Sequence, residues 1–145
     1  ITKFSTSVKQ DQVNKLTPEE EFQDAYDDLR NQKFEEAKKK FEQFISDYQE
    51  SSLSGSAHYW LGEIFLLEKN YKEAALILAE GYQKFPNSTK SPDMLYKLSE
   101  SLLNINKRND SCNTLKKINQ EFPQHKIINK VKDRMKDIDC NFTSE

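Results

Sequence analysis

The chain of 145 residues has few of the residues that break helices or build chemical sites. It contains three glycines, four prolines, two cysteines and two histidines. No Gly-rich loop of the kind that holds phosphate groups is present, and two cysteines are too few for a disulfide-rich scaffold. His58 and His125 lie far apart with no Cys or His at ligand spacing, so we expect neither a metal site nor a cofactor.

A strong charge of one sign and a long hydrophobic run are also missing. The chain has 22 basic and 24 acidic residues and a net charge of −2. Without a basic field, nucleic acid is not expected as a partner. No apolar run reaches the length of about 18 residues that a membrane span needs, so we expect no membrane insertion. No Gly-x-Ser-x-Gly motif occurs, and we expect no enzyme.

What the chain does contain is a pattern that recurs every 37 residues. Small residues recur at this interval, at Ala37, Ala74 and Ser111. Each is followed four positions later by a bulky apolar residue, at Phe41, Leu78 and Leu115. A second small residue lies twelve positions earlier, at Ala25, Gly62 and Ser99. Apolar residues within each copy follow helical spacing. The pattern predicts three helix pairs, over residues 18–31 and 34–48, 54–68 and 71–85, and 91–105 and 108–122.

The sequence also indicates where the array of helix pairs begins and ends. Thr17 is a good N-cap, with Pro18 after it and Glu20 in the position that completes a capping box. A last helix over residues 126–138 has one apolar stripe, which would cover the open face of the third pair. We therefore predict a domain over residues 17–140. Residues 1–16 are expected to be a linker or a frayed helix, and residues 141–145 a tail.

The paired helices, with small, bulky apolar, aromatic and proline residues at these offsets, resemble the tetratricopeptide repeat. Tyr48, Phe85 and Phe122 supply the aromatic residues, and Pro86 and Pro123 the prolines. The resemblance implies an all-α fold: a tetratricopeptide-like right-handed array of three antiparallel helix pairs plus a C-terminal capping helix. Such an array offers a groove rather than a catalytic pocket, so we expect a protein–protein interaction module.

A narrower resemblance rests on three segments, Tyr59-Trp60-Leu61-Gly62-Glu63, Tyr71-Lys72-Glu73-Ala74-Ala75 and Phe85-Pro86-Asn87-Ser88. They are similar to the C-terminal repeat domain of the periplasmic cell division coordinator family CpoB (YbgF), which works with the Tol-Pal system. The resemblance implies a periplasmic location and a role in cell division and outer-membrane constriction. It also implies TolA or the peptidoglycan synthesis machinery as partner. The family's N-terminal coiled coil, which this sequence does not include, could make the protein a homo-oligomer.

Two other functions are compatible with the same repeats. One is a repeat subunit of an outer-membrane protein assembly complex, and the other is a cytosolic tetratricopeptide scaffold. A coiled-coil region upstream would favour the coordinator. Two free thiols in the native protein would argue against the periplasm.

The groove of such an array is lined mainly by the first helix of each pair. Its predicted aromatic positions are Phe22, Tyr59 and Tyr96, and the next inward positions hold Tyr26, Glu63 and Glu100. Leu66 and Leu103 lie further along, with Asn104 beside the latter. This surface suits a partner helix or extended peptide with apolar anchors and some Lys or Arg. The alternative is that the aromatic residues only pack between helices, which is also what we expect of Trp60.

Cys112 and Cys140 either form a disulfide or remain two unpaired thiols. A bridge would stabilise the fold by roughly 3–4 kcal/mol through the entropy of the unfolded chain. If the last helix continued to Cys140, this residue would lie opposite the apolar stripe. A bridge, which we favour, therefore requires the helix to end near Ile138 and the chain to turn back. The two cysteines are also similar to those of the coordinator family.

Overall fold

The computed structural model describes residues 15–140, and every regular element in this range is an α-helix. The seven helices are α1 Pro18–Arg30, α2 Phe34–Asp47, α3 Ser52–Leu67, α4 Tyr71–Lys84, α5 Ser91–Asn104, α6 Arg108–Glu121 and α7 Ile128–Asp137. The first six form three helix pairs, and α7 follows as a single helix. The predicted all-α array with a C-terminal helix is confirmed. Most of the predicted linker, residues 1–14, and the predicted tail, residues 141–145, lie outside the described residues.

Two of the helices, α1 and α3, begin at a residue whose side chain caps the helix. At α1 the predicted capping box is present: the Thr17 hydroxyl accepts from the Glu20 amide at 3.1 Å, and the Glu20 carboxylate accepts from the Thr17 amide at 2.9 Å. Helix α3 begins two residues before the predicted position because Ser51, whose hydroxyl accepts from the Leu53 amide, is its N-cap. Ser54 instead lies in the first turn and donates to the Tyr48 carbonyl at 2.6 Å.

The turns inside the three pairs share one backbone conformation. Gln32, Lys69 and Asn106 have φ values of 61°, 60° and 63° and lie 37 residues apart. The residue after each donates its amide to a carbonyl in the last turn of the preceding helix, as Lys33 does to Asp28 at 2.8 Å. This left-handed residue ends a helix and reverses the chain. The repeat thus makes its tight turns without glycine.

Small residues allow the two helices of a pair to approach closely. In the second pair a Cβ atom added to Gly62 would lie 2.4 Å from a methyl group of Leu78, whose side chain is fully buried. In the third pair two buried serines take the place of Gly and Ala. The Ser111 hydroxyl donates to the Ser99 carbonyl at 2.7 Å, and the Ser99 hydroxyl donates to the Tyr96 carbonyl at 2.6 Å. Serine in place of Gly or Ala is therefore tolerated at these two positions, because each buried hydroxyl has a backbone acceptor.

The two sides of the array differ in how closely its helices pack. The first helices of neighbouring pairs touch, α1 against α3 and α3 against α5, whereas the second helices are not in comparable contact within the described range. The array therefore bends toward its first helices. We call the surface formed by α1, α3 and α5 the inner face, and the surface formed by α2, α4 and α6 the outer face.

Helix α7 covers the apolar end of the third pair. Its Val131 and Met135, together with Ile127 just before it, are buried in one cluster with Leu95 of α5, and with Leu115 and Ile118 of α6. Basic and acidic residues occupy its exposed side, as at Lys132 and Asp133. The capping helix thus closes the array by burying apolar surface that would otherwise face water.

A disulfide joins Cys112 of α6 to Cys140, with 5.6 Å between their Cα atoms. The chain reaches this position because α7 ends at Asp137 and Asp139 adopts a left-handed conformation with φ of 55°. The Cys140 amide then donates to the Met135 carbonyl at 2.9 Å, while Arg108 donates to the carbonyls of Ile138 and Asp139. The structure thus has the bridge rather than two unpaired thiols, and the chain turns back near Ile138 as the bridge requires.

Among residues 15–140, no helix combines the length and the apolar character that crossing a bilayer demands.

The contact between Gly62 and Leu78 leads to a first prediction. Gly62→Ala should lower the free energy of unfolding by about 1–2 kcal/mol, because overpacking of about 1–3 kcal/mol outweighs the gain in helix propensity. Urea unfolding measures the difference. Gly55→Ala is the comparison variant: its Cβ would meet Ser88 and Phe85 at 3.1–3.3 Å, which is tight but lacks the 2.4 Å overlap at Gly62, so it should cost less stability. A Gly62→Ala protein at least as stable as Gly55→Ala would show that the close contact does not limit the packing.

The disulfide leads to a second prediction. Replacing both cysteines by serine should lower the free energy of unfolding by about 3–4 kcal/mol, because the unfolded chain is no longer constrained by the loop. The unmodified protein in a strong thiol reductant should unfold like the double variant. If the reductant leaves its denaturation midpoint unchanged while free-thiol titration confirms reduction, the bridge contributes nothing to stability.

Candidate functional site

The inner face brings the predicted groove residues onto three neighbouring helices. Helix α1 carries Phe22 and Tyr26; α3 carries Tyr59, Glu63 and Leu66; α5 carries Tyr96, Glu100, Leu103 and Asn104. All are partly buried except Asn104, which is exposed. Their partial burial arises because the first helices of neighbouring pairs pack side by side and cover part of each side chain. The remaining exposed parts are available to a partner.

Phe22 differs from the other aromatic residues of this set. Its ring meets the rings of Phe41 and Phe44 edge to face, with centroids 5.7 and 5.8 Å apart. Both of these rings belong to α2 and are buried. Phe22 therefore fits the alternative interpretation, in which an aromatic residue packs between the helices of its own pair.

A regular series of contacts connects neighbouring repeats on the inner face. Tyr26 meets Trp60 with 5.1 Å between ring centroids. At the equivalent positions of the next repeats, Glu63 pairs with Lys97 at 2.6 Å and Glu100 pairs with Arg134 at 2.7 Å. In each contact the second residue lies 34 positions after the first. We call these three contacts the inter-repeat ladder, and the Tyr26 contact bears out the expected packing of Trp60.

Helix α7 takes part in the ladder as a first helix would. Arg134 lies 37 positions after Lys97, and Asp137 lies 37 positions after Glu100. The capping helix therefore continues the repeat register and extends the inner face to a fourth helix. The apolar stripe of α7 predicts only a cap. The 37-residue interval is the signal in the sequence that identifies Arg134 as a ladder residue.

The ladder changes the electrostatics that the sequence predicts for this surface. Glu63 and Glu100 are not free carboxylates, because Glu63 forms an ion pair with Lys97 of α5 and Glu100 accepts hydrogen bonds from Arg134 of α7. Arg134 donates to both oxygens of Glu100, at 2.7 and 3.1 Å, and this hydrogen bonding raises the pKa of Arg134. The two carboxylates that were expected to attract Lys or Arg of a partner are thus already in neutralised pairs. A basic partner would have to compete with Lys97 and Arg134 for these carboxylates.

Tyr59 and Tyr96 lie beside the ladder and are flanked by lysines. The Nζ atoms of Lys90 and Lys97 lie 4.8 and 5.6 Å from the centre of the Tyr59 ring, and that of Lys130 lies 4.4 Å from the Tyr96 ring. Burial, with Asp93 and Glu63 nearby, raises the pKa of Tyr59 to about 12. Burial and Glu100 also raise the pKa of Tyr96. Both phenols are therefore neutral at physiological pH and can donate a hydrogen bond.

His58 belongs to the packing of the second pair. Its side chain is fully buried, and its two ring nitrogens lie 2.6 Å from the Ser54 carbonyl oxygen and 2.8 Å from the Glu80 carboxylate. Among residues 15–140, no group of three or more His, Cys, Asp or Glu side chains could hold a metal ion.

Comparisons with known families agree with this geometry. A family model described as tetratricopeptide repeat matches residues 22–89, and a second model with the same description matches residues 93–125. Together these matches take in nearly all of the three helix pairs. A search of the curated proteins produced no match.

The ladder leads to a third prediction, tested by a double-mutant cycle. The variants Glu100→Gln and Arg134→Gln, alone and combined, should give a coupling free energy of about 1 kcal/mol, since the pair is bidentate and partly buried. The more exposed pair of Lys117 and Glu121, which lies within α6, is the control. Solvent screening should make its coupling smaller. Urea unfolding measures both coupling free energies. If they are equal, the ladder does not contribute to holding neighbouring helices together.

Proposed function

Since the chain carries a tetratricopeptide-repeat domain, we propose that it is a non-catalytic protein-interaction module whose inner face binds a segment of a partner protein. One observation carries this proposal: Tyr59 and Tyr96 recur at equivalent positions of successive repeats, and both rings remain partly exposed. Aromatic residues that are held rigidly and only partly covered supply much of the binding energy in many interfaces. Two such rings, one repeat apart, can anchor an extended or helical segment.

The surroundings of the two tyrosines define the chemistry of the partner. Leu66 and Leu103 follow them by seven positions on the same helices and are partly exposed. Apolar side chains of the partner would pack on these leucines and on the rings, while the neutral phenols would donate to its backbone carbonyls. Because Glu63 and Glu100 are already paired, the apolar anchors should contribute more to binding than basic side chains do.

The cellular role that we propose follows the resemblance to the CpoB family. In this role the module acts in the periplasm with the Tol-Pal system and helps to coordinate cell division with outer-membrane constriction. Its partner would be the periplasmic part of TolA or a component of the peptidoglycan synthesis machinery. The disulfide supports an oxidising compartment such as the periplasm and disfavours a cytosolic scaffold.

This proposal gives a fourth prediction. The double variant Tyr59→Ala with Tyr96→Ala should bind the periplasmic part of TolA at least about tenfold more weakly than the unmodified protein, because both aromatic anchors are lost. Titration followed by Trp60 fluorescence measures the affinity. Leu76→Asn is the control: Leu76 is exposed on the outer face, and Asn113 occupies the equivalent position of the third pair. This variant should bind TolA normally.

Circular dichroism and a melting curve must show that the double variant keeps its helices. If it does not, Lys90→Glu with Lys130→Glu alters the same surface without removing buried atoms. Unchanged affinity in a folded variant would exclude the inner face as the binding site. If TolA does not bind but another envelope protein binds in a tyrosine-dependent way, the interaction function stands and the TolA assignment is wrong.

A further inference from the structure

The outer face carries an apolar groove that the inner-face function does not use. It lies between α4 and α6 and has a cavity volume of about 550 Å³. Its floor is formed by Leu98, Leu102 and Ile105. Leu76 of α4 lines one side and is 62% exposed, more than any other large hydrophobic residue in the described range. A large apolar surface of this kind commonly marks an interaction site.

The equivalent groove of the preceding repeat, between α2 and α4, provides an internal comparison. There Lys38, Phe65 and Glu68 occupy the positions of Ala75, Leu102 and Ile105, each 37 residues earlier. The Lys38 ammonium binds the Glu68 carboxylate at 2.8 Å and lies 5.7 Å from the centre of the Phe65 ring.

In the first groove this bridged pair occupies the positions that Ala75 and Ile105 leave open in the second, and the cavity volume is only about 230 Å³. The second groove has no bridge, because Ala75 and Ile105 carry no charge. The two grooves share a backbone arrangement and differ in a few side chains. The larger cavity is therefore a property of this sequence rather than of the repeat as such.

The charges around the open groove are mainly basic. Lys72 and Lys107 line it and form no ion pair with another described residue. Lys117 also lines it but is paired with Glu121 at 2.7 Å. Asp110 is the one carboxylate among the lining residues. The groove therefore combines an apolar floor with two available ammonium groups, which favours a ligand that is apolar on one side and acidic at its edge.

We propose that this outer groove binds a short amphipathic helix of a partner protein, with apolar side chains about one turn apart and carboxylates near Lys72 and Lys107. The length of the groove supports a helix of about two turns, because its α4 wall runs from Lys72 to Ala79, roughly 10 Å along the helix axis. The charged side chains of residues 1–14 of this chain are Lys3, Lys9 and Asp11. That segment carries a net positive charge, so it does not complement the two lysines of the groove.

The experiment uses two designed peptides. One is an amphipathic helix with leucines at i and i+4 flanked by glutamates, and the other has a lysine in place of each glutamate. In fluorescence anisotropy titrations the acidic peptide should bind the unmodified protein at least about tenfold more tightly than the basic peptide. Added salt should reduce this preference, because the two lysines are exposed to solvent.

The matched variant copies the closed groove into the open one. Ala75→Lys with Ile105→Glu introduces the pair that Lys38 and Glu68 form in the preceding repeat, and should weaken binding of the acidic peptide at least about tenfold. Should this variant not fold, Leu76→Asn removes an exposed apolar contact and should weaken binding as well. The inner-face variant Tyr59→Ala with Tyr96→Ala should bind the acidic peptide normally, which separates this site from the proposed inner-face site.

Three results would overturn the proposal. The first is equal affinity for the acidic and basic peptides, and the second is full affinity in a folded Ala75→Lys, Ile105→Glu variant. The third is binding of a free fatty acid such as palmitate in the groove with no binding of the acidic peptide. That last result would identify the groove as a lipid site instead.

Discussion

The close approach of paired helices at small residues is the constraint on which the rest of this structure depends. At Gly62 the missing side chain is what allows Leu78 to fill the space between α3 and α4. Fully buried Ala25 and Ala37 occupy the corresponding positions in the first pair. Because all three pairs meet these small-residue requirements, successive pairs stack in register. Functional side chains from different repeats are therefore brought to regular positions on two distinct faces.

The two faces use this regularity in different ways. On the inner face, residues 34 positions apart meet, so the same contact is aromatic at Tyr26 and Trp60 and ionic at Glu63 and Lys97. The ladder connects the repeats, while Tyr59 and Tyr96 beside it remain partly exposed. On the outer face, the two equivalent grooves differ because only the first has the bridge between Lys38 and Glu68. Equivalent positions of the repeats thus share one backbone arrangement but carry different side chains, and this gives each part of the surface its own contacts.

The C-terminal end of the array shows how a repeat structure is closed. Helix α7 continues the ladder through Arg134 and buries Val131 and Met135 against the third pair. The disulfide then connects the turn after α7 to α6. Ser99 and Ser111 replace Gly and Ala in the third pair, and the same end of the array carries this additional covalent connection.

The sequence alone predicts the helices, their pairing and the cap, because the 37-residue interval and the helical spacing of apolar residues can be read directly along the chain. It also indicated which positions share the inner face. The contacts of those positions depend on how the helices pack: Phe22 packs within its own pair, Glu63 and Glu100 are neutralised, and one outer groove is open. The contact interval of 34 differs from the repeat interval of 37. Which side chains meet is therefore set by how neighbouring helices are shifted against each other when they pack. The 37-residue period does not specify this shift.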